Sequence, residues 1–191
     1  MAAADDREWF HAEDRRAWRA WLAANHDSSP GVWLVTWRKA SGRPVLSYDN
    51  AVTEALAFGW IDTKGGSVDD ERTRLMFTPR KRGSGWSRPN KQRIERLEAE
   101  GLMTPAGTAV IDAARADGSW TLLDDVEDLV VPEDLAAAFD RHAGSRQQWD
   151  AFPPSARKVI LGWIVTAKRP ETRATRVEQT ASMAARGERA R

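Results

Sequence analysis

Between His11 and Asn25 the apolar positions recur at helical spacing. Trp18, Trp21, Leu22 and Asn25 fall on one side, while Asp14, Arg15, Arg16 and Arg19 lie mostly on the other, which predicts an amphipathic helix. Residues 27–31, from Asp27 through two serines and Pro30 to Gly31, are a loop signal. "VWLVTWRK" (32–39) is short and rich in β-branched and aromatic residues, and it predicts a central strand covered on both faces. A second helix runs from Ser47 to Phe58, with Ser47 or Asp49 as N-cap and Gly59 as its stop. The next stretch, "WIDTKGGSVDDERTRLMFTP", predicts two short strands around the "DDE" turn. In the second of them Thr73, Leu75 and Phe77 alternate with Arg72, Arg74 and Met76.

From Ser87 onward the punctuation is helical. Ser87 caps a helix on which Asn90, Ile94 and Leu97 share a face, and Gly101 ends it. Thr104 caps the next, Pro105 holds its first position, and Gly118 follows its last turn; Val110 and Ala114 share one of its faces. "WTLLDDVEDLVVPEDL" (120–135) mixes acids with aliphatics and breaks the pattern. It sets an expected boundary between an N-terminal domain, residues 1–125, and a C-terminal helical subdomain, residues 126–191. In the latter, short helices are expected to follow Pro132 and Ser145. "PPSARKVILGWIVTAKR" buries Val159, Ile160, Trp163, Ile164 and Ala167 in this reading, and Pro170 opens a last helix. The fold class expected is α+β: a small, mostly antiparallel sheet flanked by helices, then the helical subdomain.

Composition changes this picture in three ways. The 191 residues hold ten tryptophans and one tyrosine, so indole rings are expected to anchor the core. No cysteine occurs, which excludes disulfides, thiolate nucleophiles and Cys-based zinc sites. The formal charge is only +1, yet it is uneven. Residues 80–96 and 168–191 are basic and residues 117–140 acidic, so the acidic block either faces a basic one within the fold or is a solvated linker. "MAAADDREWFHAEDRR" has neither a basic leader region nor an apolar one, and no apolar run reaches membrane-span length; a cytoplasmic protein is expected.

The chain contains no Walker loop, GxGxxG fingerprint, nucleophile elbow or calcium loop. His11, His26 and His142 stand far apart, so no metal site and no cofactor are expected. What remains is "FTPRKRGSGWSRPN" (77–90). Its basic side chains leave a strand, two glycines turn the chain, and a helix starts at Ser87. Unpaired N–H groups at a helix start beside guanidiniums make an anion site, on which Trp86 can stack; the plain alternative is a solvated turn. Upstream, "FGWID" (58–62) places Trp60 and Asp62 at the start of a strand, where Asp62 is expected to pair with Arg80 across the sheet. The candidate ligand set is therefore Trp60, Asp62, Arg80, Ser84, Trp86, Ser87 and Asn90. Lys168, Arg169, Arg173 and Arg176 form a further candidate, a basic ridge around the last helix, with no aromatic ladder beside it.

"EALAFGWID", "FTPRKRGSGWSRPNKQRIERLEAEGLMTPAGTAVIDAARADGSW" and "IVTAKRPETRATRV", in this order, resemble the YdeI/OmpD-associated family of bacterial proteins. The family pattern is matched by Phe58–Asp62, Thr78, Pro79, Arg80, Ser84, Trp86, Ser87 and Asn90; Thr63 stands where a glycine is common. The resemblance implies a role in bacteriocin protection, antimicrobial-peptide resistance or envelope stress, with an indirect link to an outer-membrane porin. It brings no catalytic residues. Three functions are thus carried forward. The first is a non-enzymatic protein binding a small anion or a protein partner. The second is an enzyme on a small anionic metabolite using Asp62 and Arg80. The third, disfavoured by the near-neutral charge, is nucleic-acid binding through the basic stretches.

Overall fold

The computed structural model describes residues 7–191, so the first six residues of the N-terminal stretch lie outside that range. The chain packs as two compact units. One takes in the chain through Ser84 together with Pro89–Asp117, and the other comprises Gly85–Arg88 and Gly118–Arg191.

The first unit is α+β. Its strands β1 (Glu8–His11), β2 (Val32–Trp37), β3 (Trp60–Ser67) and β4 (Arg72–Pro79) form a sheet in the order β1-β2-β4-β3. β1 runs parallel to β2, and the other two pairings are antiparallel. β2 is therefore central, and its first four residues are buried. Helix α1 (Arg15–Asn25) begins four residues later than its periodicity suggests. Asp14 caps it, accepting from the Ala17 N–H at 2.7 Å, and residues 8–11 are strand instead. α1 turns Trp18, Trp21 and Leu22 inward. Trp18 packs 5.2 Å from Phe77 and stacks on Trp21 at 5.4 Å, so one sheet face and α1 share an aromatic core.

Helix α2 (Tyr48–Ala57) is capped by the Ser47 hydroxyl, which accepts from the Asn50 N–H at 3.1 Å. It buries Glu54, whose carboxylate is held by Arg15 and, at 2.6 Å, by Arg19. Gly59 ends α2 with φ +75°, where a side chain would strike Val110. Helices α3 (Arg88–Ala99) and α4 (Pro105–Ala116) follow, with Ile94, Leu97, Ile111 and Ala114 buried. On α4 the inward face is Gly107, Ile111 and Ala114, so Val110 is only a flank of it. Thr104 caps α4 and also donates its hydroxyl to the Ala57 carbonyl at 2.6 Å, tying α4 to the end of α2.

The second unit is helical: α5 (Asp124–Glu127), α6 (Glu133–Arg141), α7 (Ser145–Ala151), α8 (Pro154–Val165) and α9 (Pro170–Ala185). Trp149, Leu135, Ile160, Leu161 and Ile164 centre its core. Val159, expected inside, is 53% exposed, and Leu161 takes the inward position. One residue along a helix turns about 100°, so the difference rotates the buried stripe by a single step. The acidic stretch is not a solvated linker. Within this unit Asp128 holds Arg88 at 2.6 Å, Glu127 holds Lys158 at 2.7 Å and Asp134 holds Arg173 at 2.7 Å. No helix among the described residues is long and apolar enough to cross a membrane.

Candidate functional site

The chain leaves α2 through Gly59, and this turn sets Trp60 and Asp62 on β3 beside the end of β4. Trp60 is 1% exposed, donates its indole N–H to the His26 carbonyl at 3.0 Å and meets Trp21 edge-on. It is a core anchor and offers no ring to a ligand. Trp86 is equally buried, with its ring 5.0 Å from Trp120 within the second unit. Stacking of a ligand on Trp86 is thus closed off, and the half-buried Ser87 belongs to the same unit. Ser84 stays in the first unit, where it closes a turn by donating to the Lys81 carbonyl at 2.6 Å.

The Asp62 carboxylate accepts from the Tyr48 hydroxyl at 3.0 Å, and it acts on Arg80 through its charge. Tyr48 opens α2, directly after the cap Ser47. Its neighbour Asp49 holds Arg93 at 2.9 Å and Arg96 at 3.2 Å, both from α3. Arg93 also donates to the Asn90 side-chain oxygen at 3.0 Å and lies over the Tyr48 ring. Three guanidiniums therefore gather with two carboxylates, a phenol and an amide, all supplied by the first unit. Asn90, Asp62 and Arg80 are legible as candidates from the sequence. Tyr48, Asp49, Arg93 and Arg96 escape that reading, although the single tyrosine of the chain beside a helix cap is an available signal.

Burial pushes the Arg80 guanidinium down to about 10, against the opposing pull of the Asp62 charge. Folding thus disfavours its charged form. The cost stands at neutral pH and is relieved only as pH rises through about 10. Tyr48 is raised above its ordinary value, first by burial and then by its hydrogen bond to Asp62 and that group's charge. A raised value favours the neutral phenol, so this contribution to stability is complete below the unfolded value of about 10 and is lost as pH rises through the folded one. At neutral pH Tyr48 is a hydrogen-bond donor and not a base. Because it is the only tyrosine, alkaline difference absorbance reads it alone. We expect a midpoint above 10. We expect Asp62→Asn to lower it part of the way, since burial remains. A wild-type midpoint at or below that of a free phenol side chain would contradict the pairing.

Beside this cluster lies a pocket of about 600 Å³. Leu34, Leu46 and Leu75 give it an apolar floor, and Lys39, Tyr48 and Asp49 are exposed at its mouth. The second unit has a hollow of about 560 Å³ between α6 and α9, but its charged residues are occupied with one another. Asp134 holds Arg173, and Glu178 holds Arg141 at 2.8 Å. Of the expected basic ridge, Arg173 is engaged in this way, and Arg176 donates to the Trp163 carbonyl and covers that ring at 5.0 Å. Lys168 and Arg169 are exposed. Among the described residues no group of three or more His, Cys, Asp or Glu side chains has the arrangement to hold a metal ion.

Comparison with known proteins gives two family matches. Residues 10–110 match a family described as a domain of unknown function, DUF8412. Residues 128–187 match the family described as Bacteriocin-protection, YdeI or OmpD-Associated. No curated protein and no solved structure matches the chain. The resemblance carried by "IVTAKRPETRATRV" thus falls inside the second match. The cluster around Tyr48, Asp62 and Arg80 falls inside the first.

Proposed function

The chain belongs to the DUF8412 family, a domain of unknown function, and from that premise we propose that it is a non-enzymatic binding protein serving bacteriocin protection or envelope stress in the cytoplasm. Its ligand is a small carboxylated or phosphorylated molecule with an apolar body. The bacteriocin-protection role takes its support from the C-terminal match. The binding role takes its support from the first unit. The observation that carries it is the meeting of the half-buried Arg80 with Arg93, Arg96, Asn90 and the neutral Tyr48 phenol, a set of donors from three elements gathered around Asp49 and Asp62. Guanidinium, phenol and amide donors beside apolar walls suit an anion attached to a hydrocarbon or ring.

An enzyme using Asp62 as acid or base, with Arg80 holding the anion, draws on the same residues. The Tyr48 hydroxyl already occupies one oxygen of Asp62, and the phenol is held neutral, so the arrangement favours holding a ligand over moving its protons.

A thermal-shift panel tests the binding reading. It would hold nucleotides, phosphorylated sugars and di- and tricarboxylates at low and moderate salt. A ligand bound only by the folded state raises the midpoint by mass action, about 2.7 kcal/mol at a hundredfold excess over Kd. We expect one chemical class to do so at both salt concentrations. A panel in which no small anion shifts the midpoint would overturn the proposal and leave a protein partner as the ligand.

A further inference from the structure

The two faces of the sheet differ. Phe10, Leu34, Leu75 and Phe77 line the face that receives α1, through the contacts of Trp18 and Trp21. Strand alternation sends Trp9, Trp33 and Trp37 to the other face, along with Arg72 and Arg74, which stand opposite Trp37 and Val35. This second face is closed by its own side chains. The Arg74 guanidinium lies 4.8 Å from the Trp9 ring and 4.4 Å from the Trp33 ring. Arg43 lies 4.4 Å over Trp37, and Lys64 lies 5.2 Å over Trp33. Gly66, opposite Arg74 on β3, leaves the space in which that side chain lies across the sheet.

Arg72 is paired with Asp69 at the edge of this face. Among the described residues Arg38, Arg43 and Arg74 have no carboxylate partner: Arg38 donates to the Ser67 hydroxyl, and the other two rest on rings. Three buried nitrogens of this sheet and its strand ends, His11 Nε2, Arg38 Nε and Arg74 Nε, have no hydrogen-bond partner among the described residues. Trp9, on the edge strand, is 49% exposed.

We propose that this sheet face binds single-stranded nucleic acid. Flat rings and guanidinium planes stack on unpaired bases, and arginines meet phosphates. Trp33 is 4% exposed and is the floor on which Arg74 and Lys64 lie, so the stacking surfaces are the exposed Trp9 ring and the guanidinium planes of Arg74 and Arg43, spread along the sheet rather than gathered in one pocket. A duplex hides its base faces, whereas every nucleotide of an unpaired strand offers a planar ring beside a phosphate, which matches both features together. The interface shares no residue with the basic ridge of the last helix, where Arg176 alone lies over a ring, or with the cluster around Arg80.

Fluorescence anisotropy of a short labelled oligothymidine with the whole chain tests this, at several salt concentrations. Trp9→Ala and Arg43→Ala are the variants, both being surface side chains whose loss leaves the core intact. Each is expected to weaken binding roughly tenfold without lowering the melting midpoint. Affinity is expected to fall steeply with salt, and the matching duplex to bind more weakly. Three results would overturn the proposal. One is no binding at low salt. Another is equal binding of heparin or anionic vesicles with no effect of Trp9→Ala. The third is binding lost only in Lys168→Ala or Arg169→Ala, which would move the contact to α9.

Discussion

Replacing Trp18 by alanine is expected to remove about 3–5 kcal/mol from the stability of the first unit. Trp18 is fully buried, stacks on Trp21, packs on Phe77 and Phe10, and donates its indole N–H to the Ala51 carbonyl at 3.0 Å. Truncation therefore empties the space between α1, α2 and the sheet, and three facing rings cannot all move in to fill it. The hydrogen bond adds a smaller loss, about 1 kcal/mol. Trp18→Phe keeps most of the volume and should recover more than half of the deficit. Urea unfolding measures both variants. A loss below about 1 kcal/mol for Trp18→Ala would mean that the aromatic core is not what holds α1 to the sheet.

Gly107→Ala is expected to destabilise by about 3 kcal/mol, against the sign that helix propensity alone gives. In an exposed helix the change stabilises by about 1 kcal/mol. Here a methyl group at position 107 would sit 2.3 Å from the Ala57 carbonyl oxygen and 2.7 Å from the end of Met103. Met103 can swing away, but the carbonyl cannot. It is backbone at the end of α2, and it already accepts from both the hydroxyl and the N–H of Thr104. Relief means sliding α4 off α2 and breaking the Thr104 cap. A rise in the unfolding midpoint of Gly107→Ala would show that the two helices are not in contact at this point.

Much of the fold is legible in the sequence because it is local. Ser47, Thr104 and Pro105 mark helix starts through bonds made within a few residues, and the β3–β4 hairpin shows its alternation directly. β1 escapes for the opposite reason. Four residues, Glu8–His11, become a strand only by pairing with β2 across an intervening helix, so nothing nearby announces them. The same distance effect governs the candidate site. Position alone points Asp62 toward Arg80, at the neighbouring strand end. The hydrogen bond comes from Tyr48, which α2 brings in from another layer. Trp60 and Trp86 stand out as ligand contacts because they lie inside recognisable motifs, yet a motif tryptophan also serves as a core anchor, and burial decides between the two. The cation-covered sheet face is legible only as alternation in β4. Its meaning depends on which strands β2 joins.

In the binding role proposed, Arg80 is retained for its ligand and not for folding. Thermal denaturation of Arg80→Met, with and without the anion that shifts the wild type, tests it most directly. Methionine removes the charge while keeping the apolar stem; the desolvation relieved outweighs the lost attraction to Asp62, which keeps its bond from the Tyr48 hydroxyl. The expected result is a midpoint no lower than that of the wild type and no response to the anion. A marked loss of stability, or an undiminished response, would contradict it and make Arg80 a structural residue.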